Sequence, residues 1–137
     1  MSRRALAASI VLVAIGGALG GVARHAVDVL WPEHSFPWGT LGINVAGSAL
    51  LALLPALRIV QRHHTIPAFL GSGVLGGFTT LSAFSEQTRA LVDGGHAGLA
   101  ASYVVASVGA ALVAVLVVRR LSTLVEWAEF EAEEGDQ

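Results

Sequence analysis

Polar side chains lie inside long apolar stretches of this sequence, where each one needs a hydrogen-bond partner or a ligand. Asn44 falls within the apolar stretch of residues 35–57. Tyr103 and Ser107 are four residues apart in another stretch, so they share one face of a helix. A buried amide or hydroxyl without a partner is costly. These groups therefore either hold helices together or line a path for a small solute.

A second polar cluster follows a glycine-rich segment in the middle of the chain. Its hydroxyls are Thr79, Thr80, Ser82 and Ser85, with Phe84 among them. A path lined by hydroxyls, an amide and aromatic edges suits an anion, because such groups replace part of a hydration shell without binding too tightly. Arg24, near the end of the first stretch, can attract anions or simply snorkel to the headgroups. No carboxylate lies in mid-stretch, which argues against a proton-coupled transporter.

Four apolar runs position these groups. The runs without a charge or a histidine are residues 5–23, 35–57, 65–85 and 97–118. A helix that crosses the hydrocarbon needs roughly 20 apolar residues. The chain is 54% hydrophobic and only 13% charged, which leaves too few polar groups for a soluble surface. The sequence therefore predicts an all-α integral membrane protein of four spans. We place the helices at about 5–30, 39–60, 67–92 and 97–120.

The charges divide the chain and orient it. Residues 1–120 form the predicted transmembrane domain, and residues 121–137 form an acidic tail that we expect to be solvated or to lie at the headgroups. The arginines on one side of a four-span model are Arg3, Arg4, Arg58, Arg62, Arg119 and Arg120, and those on the other side are Arg24 and Arg89. By the positive-inside rule, we expect both termini to be cytoplasmic. The location that we expect is the plasma membrane, as a multi-pass protein.

The glycine-rich segment before the hydroxyl cluster has two interpretations. Residues 71–76 match the GxGxxG pattern, but no strand precedes them, so a dinucleotide site is rejected. Gly76-Gly77 can weaken the helix at membrane depth, where unwound carbonyls are natural ligands for a small cation. Alternatively, the glycines only permit close helix packing. The chain has no apparent nucleophile–base pair or phosphate loop, so we expect neither an enzyme nor a partner among the nucleic acids.

Three segments carry a family resemblance. They are Gly16-Gly17-x-x-Gly20-Gly21-x-x-Arg24-His25, the helix 2 segment Gly39 to Ser48, and the helix 3 segment Gly76-Gly77-Phe78-Thr79-Thr80-Leu81-Ser82-Ala83-Phe84-Ser85. In this order and at this spacing, they resemble the Fluc/CrcB fluoride channels over residues 12–120.

The resemblance implies a passive channel that exports cytoplasmic fluoride and so reduces fluoride toxicity. It implies an antiparallel dimer with pores at the subunit interface, and a structural sodium ion at the centre held by the backbone carbonyls of Gly76 and Thr79. The positions that match the fluoride pathway are Asn44, Phe84, Thr80, Ser82, Tyr103 and Ser107. Arg24 matches the vestibule arginine of the family.

Two features suggest a partner chain. Leu81 stands where the family usually has a phenylalanine, so one aromatic edge of the pathway is missing, and a helix 4 hydroxyl is replaced by Ala111. The arginine bias favours one fixed orientation in the membrane, whereas a self-paired antiparallel dimer must insert in both. We therefore expect a paralogous subunit of opposite orientation.

Two other classes compete with this interpretation. A small dual-topology multidrug exporter needs a glutamate in the first span, and residues 5–23 contain none. A membrane subunit that only supports a conducting partner stays open.

Overall fold

The computed structural model describes the backbone of residues 3–31, 35–63 and 65–134, and the side chains within residues 6–123 of those ranges. Most residues of the described ranges are helical, and these ranges contain no strand. Four helical segments are long and apolar enough to cross a membrane, namely Leu6–Leu30, Trp38–Ala56, Ala68–Asp93 and Ala97–Thr123. The prediction of an all-α, four-span membrane protein is confirmed.

The first span is the continuous helix α1, Arg3–Leu30. It packs along Ala68–Leu75, a π-helical segment that opens the third span. The two backbones touch where glycines leave room. A Cβ atom added at Gly16 would lie 2.6 Å from the carbonyl oxygen of Phe69, and one added at Gly20 would overlap the carbonyl oxygen of Val74. Close packing through small residues is how helices associate in a bilayer.

The second span is shorter than the sequence predicted. Helix α2 covers Trp38–Leu53, followed by a 3-10 turn at Leu54–Ala56 and a separate short helix α3 at Arg58–Arg62. The predicted continuous helix at 39–60 is therefore wrong at its end. Pro55 has no N–H to give to the preceding turn, and its ring crowds that turn, so the α-helix stops there.

The third span is broken, as predicted. After the π-helical segment, a single helical turn, α4, covers Gly76–Phe78, and helix α5 covers Leu81–Asp93. The break lies at Thr79 and Thr80 rather than at Gly76-Gly77. Gly77 instead abuts α1, because a Cβ atom there would overlap the carbonyl oxygen of Gly17. The predicted break is therefore present but lies at the threonines, and Gly77 serves close packing, as the second interpretation had it. Cation binding by the carbonyls stays a prediction.

The fourth span is helix α6, Ala97–Glu134, which follows a tight turn at Gly95 with φ of 79°. The backbone stays helical beyond the apolar part, through residues 121–134 of the acidic tail; residues 135–137 lie outside the described ones. Helix α6 packs against α2 and α5. The third span is thus held on one side by α1, and its α5 half is held by α6.

Candidate functional site: a polar pathway beside a broken helix

The break in the third span is a two-residue extended segment. Thr79 has φ of −74° and ψ of 155°, and Thr80 has φ of −146° and ψ of 117°. Backbone groups released from a helix at membrane depth need partners from elsewhere in the protein, since lipid offers none. The side chains of this chain supply several of them.

Asn44 of α2 pairs with the backbone of Thr80 at both ends of its amide. Its Nδ2 atom donates to the Thr80 carbonyl oxygen at 3.0 Å, and its Oδ1 atom accepts from the Thr80 N–H at 2.9 Å. The amide therefore satisfies both backbone groups of Thr80, as the backbone of a paired strand would do in a sheet. The second hydrogen of Nδ2 has no partner within the described ranges and can be donated to a solute.

The hydroxyl of Thr80 starts helix α5. Its Oγ1 atom accepts from the N–H of Ala83 at 3.1 Å, the usual bond of an N-cap residue, and lies 3.2 Å from the Oγ atom of Ser82. The Oγ1 atom of Thr79 donates to the carbonyl oxygen of Leu75 at 2.8 Å. The predicted pathway residues Asn44, Thr80 and Ser82 thus meet at the break.

A depression of about 300 Å³ opens beside the break. Gly76 and Thr79 line it, together with Asn44, Thr80 and Leu81. Leu81 is 76% exposed, a large apolar side chain without cover at this depth. The two residues matched to the cation site are therefore adjacent on one surface of the chain, around the break.

Tyr103 is fully buried and takes part in a set of hydrogen bonds that joins three helices. Its hydroxyl donates to Oε1 of Gln87 at 2.8 Å, and Nε2 of Gln87 donates to Oγ1 of Thr40 at 2.9 Å. Gln87 is on α5 and Thr40 on α2, and the prediction included neither of them. We name these three residues the polar chain.

Ser107 lies one turn beyond Tyr103 on the same face of α6. It is 5% exposed, and its Oγ atom has no hydrogen-bond partner within the described part of the protein. Other helix hydroxyls bond back to their own helix: Ser48 donates to the carbonyl oxygen of Asn44 at 2.7 Å, and Ser122 to that of Val118 at 3.0 Å. The buried hydroxyl of Ser107 is therefore not used by any described residue.

Aromatic rings surround the buried tyrosine. The ring centroid of Phe84 lies 5.2 Å from that of Tyr103, with 44° between the planes, and Phe36 meets Tyr103 edge-on at 5.4 Å. Phe84 thus belongs with the predicted pathway residue Tyr103. Phe36 was not predicted, because it lies in the loop before α2 and nothing in the sequence indicates that it folds inward.

The last predicted site residue, Arg24, is half-buried in α1. Its Nε atom is buried without a partner among the described residues. Arg89 of α5, by contrast, forms ion pairs with Glu86, at 2.6 Å, and with Asp93. The positive charge of Arg24 is therefore available to an approaching anion, whereas that of Arg89 is matched by carboxylates.

The fold and these contacts together define a multi-pass α-helical membrane protein with hydrogen-bonded polar side chains in one half of its bundle. Comparison with known proteins gives the family. The family model described as "CrcB-like protein, Camphor Resistance (CrcB)" matches residues 11–118. The chain belongs to this family.

Curated relatives agree with the family model. The chain is 44% identical over 113 residues to "Fluoride-specific ion channel FluC" of Agrobacterium fabrum, covering 78% of this chain and 90% of the relative. It is 45% identical over 123 residues to the protein of that name from Granulibacter bethesdensis, covering 82% and 96%. With "Fluoride-specific ion channel FluC 2" of Streptomyces avermitilis it shares 42% identity over 102 residues, which is 72% of this chain and 65% of the relative.

Proposed function

We propose that this chain is a subunit of a fluoride-selective channel that lets cytoplasmic fluoride leave the cell passively. The observation that carries the proposal is the buried hydroxyl of Ser107, which lies near the polar chain and has no hydrogen-bond partner among the described residues. The names of the relatives, which state a fluoride-specific ion channel, supply the ion.

The pathway that we propose offers donors and aromatic edges rather than charges. The Ser107 hydroxyl and the second hydrogen of the Asn44 amide can each donate to an anion, and both side chains are held in place by helix packing. Ser107 is ten residues into α6, about 15 Å from its start, so this donor lies well inside the span. Neutral donors replace hydration without trapping the ion, which a channel requires.

A structural sodium ion fits the carbonyls at the break. Sodium is a hard cation that favours oxygen ligands, and unwound backbone carbonyls provide such ligands in membrane proteins. Gly76 and Thr79 line the same depression, at the carboxyl-terminal end of a helical segment where the partial charge is negative. Groups of three or more His, Cys, Asp or Glu side chains do not occur among the described residues, so carbonyls are the natural donor set.

The depression also supports an assembly through this face. The exposed Leu81 and the open carbonyls would be covered if a second subunit packed there, and the proposed architecture is an antiparallel dimer with the sodium ion at its centre. The arginine bias of the sequence favours cytoplasmic termini and a related chain of opposite orientation as the partner.

Fluoride efflux from liposomes that contain the purified chain tests the proposal, with chloride as the control anion. Selective fluoride efflux from the chain alone would support the channel and overturn the requirement for a related partner. Efflux only after the related chain is added would support the obligate heterodimer. No efflux in either preparation would overturn the channel and favour a supporting subunit.

A further inference from the structure

We propose that Asn44 and Thr80 are positioning residues that keep the carbonyls of Gly76 and Thr79 available to a cation. They do so by binding the backbone N–H groups that a continuous helix would direct to those carbonyls. The inference rests on the sodium site proposed above and assigns it two side chains that are not themselves ligands.

The helix geometry identifies the bonds concerned. In a continuous α-helix each N–H donates to the carbonyl four residues earlier. The N–H of Thr80 would therefore bond to the carbonyl of Gly76, and the N–H of Ala83 would bond to that of Thr79. These are the same two carbonyls that the family resemblance matches to the cation.

In the structure both N–H groups are diverted to side chains. The N–H of Thr80 donates to Oδ1 of Asn44 at 2.9 Å, and the N–H of Ala83 donates to Oγ1 of Thr80 at 3.1 Å. Each diversion removes the donor that would otherwise compete with a cation. One acceptor comes from α2 and the other from the break itself.

The released stretch has defined ends. On one side the carbonyl of Leu75 accepts both the N–H and the Oγ1 hydroxyl of Thr79, at 2.9 Å and 2.8 Å. On the other side the carbonyl of Thr80 accepts Nδ2 of Asn44 at 3.0 Å. Apart from bonds between residues of the helices, no hydrogen bond within the described ranges reaches the carbonyls between them, at residues 76–79. Gly76 and Thr79 are the two of these residues that line the depression.

Asn44 therefore connects two ion sites. One hydrogen of its amide fixes the Thr80 carbonyl, its oxygen removes the Thr80 N–H, and its second hydrogen faces no described partner. The same side chain can thus hold the cation site open and donate to the anion. We expect its loss to weaken cation binding even when no fluoride is present.

The test measures cation binding rather than transport. The protein is purified in the form that transports fluoride, alone or with its related chain, and its thermal unfolding is followed at rising sodium chloride with N-methylglucamine chloride keeping the ionic strength constant. The variants are Asn44→Leu, which removes both amide atoms, and Thr80→Val, which removes the capping hydroxyl. Thr80→Ser keeps that hydroxyl and is the matched control.

We expect sodium to stabilise the natural protein, and Asn44→Leu and Thr80→Val each to raise the half-saturating sodium concentration about tenfold, the effect of one competing hydrogen bond. Thr80→Ser should stay within about twofold of the natural protein. If the Asn44→Leu protein does not fold, the comparison of Thr80→Val with Thr80→Ser tests the inference by itself.

Two results would overturn the inference, and they are distinguishable. Sodium stabilisation that is the same in the natural protein, Thr80→Val and Asn44→Leu would leave the sodium site standing and remove the positioning role. No sodium stabilisation of the natural protein would overturn the sodium site and the positioning role together.

Discussion

The third span is held by different means on its two sides. Its first half packs on α1 by direct backbone contact at glycines. Its second half, α5, is joined to α2 and α6 by side-chain hydrogen bonds through Gln87 and Asn44. The two halves meet at Thr79 and Thr80, where the helix is interrupted.

This difference indicates that the side facing α1 mainly supports the fold, whereas the side facing α2 and α6 offers groups that can interact with an ion. A backbone contact at a glycine leaves no room for a solute and has one geometry, so the α1 side acts as a rigid wall. Hydrogen-bonded side chains can exchange a partner for an ion at a small net cost, because each protein–protein bond contributes only about 0.5–1.5 kcal/mol. We therefore expect substitutions at the glycine contacts with α1 to affect mainly folding, and substitutions among the hydrogen-bonded side chains on the α5 side to affect transport as well.

The largest expected effect is on folding, at the close contact between α1 and the third span, which Gly16, Gly20 and Gly77 permit. Gly20→Ala would drive a Cβ atom into the carbonyl oxygen of Val74, and a backbone atom cannot move aside. Overpacking costs about 1–3 kcal/mol and more where the backbone must shift. We expect little monodisperse protein by size-exclusion chromatography and a lower unfolding temperature.

Gly21 provides the matched control for this substitution. A Cβ atom at Gly21 meets nothing within 4 Å, so Gly21→Ala should fold normally, with a stability gain of up to about 1 kcal/mol from the lost glycine entropy. Equal stability of the Gly20→Ala and Gly21→Ala proteins would show that the contact between α1 and the third span can widen to accept a side chain.

A smaller effect on stability is expected in the polar chain. Gln87→Leu leaves the Tyr103 hydroxyl and the Thr40 oxygen without the partners that Gln87 supplies. The loss of partners for buried polar groups costs about 1–3 kcal/mol, which thermal unfolding detects. Fluoride efflux should fall as well, since the helices that frame the pathway are no longer joined.

The control for Gln87 is Ser85→Ala on the same helix. The Ser85 hydroxyl is exposed and bonds only to the carbonyl of Leu81, one turn earlier. The Ser85→Ala protein should have the same unfolding temperature and the same fluoride efflux as the natural protein. A Gln87→Leu protein indistinguishable from Ser85→Ala would mean that the polar chain holds nothing together.

The smallest expected effect concerns Arg24 and Arg89, the two arginines that the sequence analysis assigns to the side of the membrane opposite the other six. Arg24 has no ion pair among the described residues, so Arg24→Ala should slow fluoride efflux about threefold at low salt and less at high salt, because a vestibule charge acts by steering. Arg89 is paired with Glu86 and Asp93, so Arg89→Ala should change efflux by less than twofold. Equal effects of the two substitutions would contradict a steering role for Arg24.

Local patterns in the sequence predicted much of this architecture. The four spans follow from run length, and the broken third span follows from a glycine pair before a cluster of hydroxyls. The position of the break was predicted less well, because Gly76 and Gly77 adopt helical geometry and the extended residues are Thr79 and Thr80. Glycine is a weak helix former, but its presence in the sequence does not show whether the helix breaks there or packs closely against another helix.

Several of the predicted pathway residues stand out in the sequence because they are unusual for their surroundings. Asn44, Tyr103 and Ser107 are polar groups in apolar runs, and the structure buries Tyr103 and Ser107. Gln87 escaped notice because it stands among Glu86, Thr88 and Arg89, a sequence typical of a solvated helix end. Its partner Thr40 is 47 residues away, and a contact over that distance leaves no periodic signal.

The pairing of Ser107→Ala with Ser102→Ala tests the central claim, that the polar half of the bundle conducts the ion. Both serines lie on α6, but the Ser102 hydroxyl is exposed and bonds to the carbonyl of Leu99 at 2.8 Å, whereas that of Ser107 is buried without a described partner. Fluoride efflux from liposomes is measured for both variants in the form of the protein that conducts. The account predicts a fall of about tenfold or more for Ser107→Ala, the effect of one hydrogen bond to an ion, and no change for Ser102→Ala. Equal efflux from the two variants, with both folded, would contradict it.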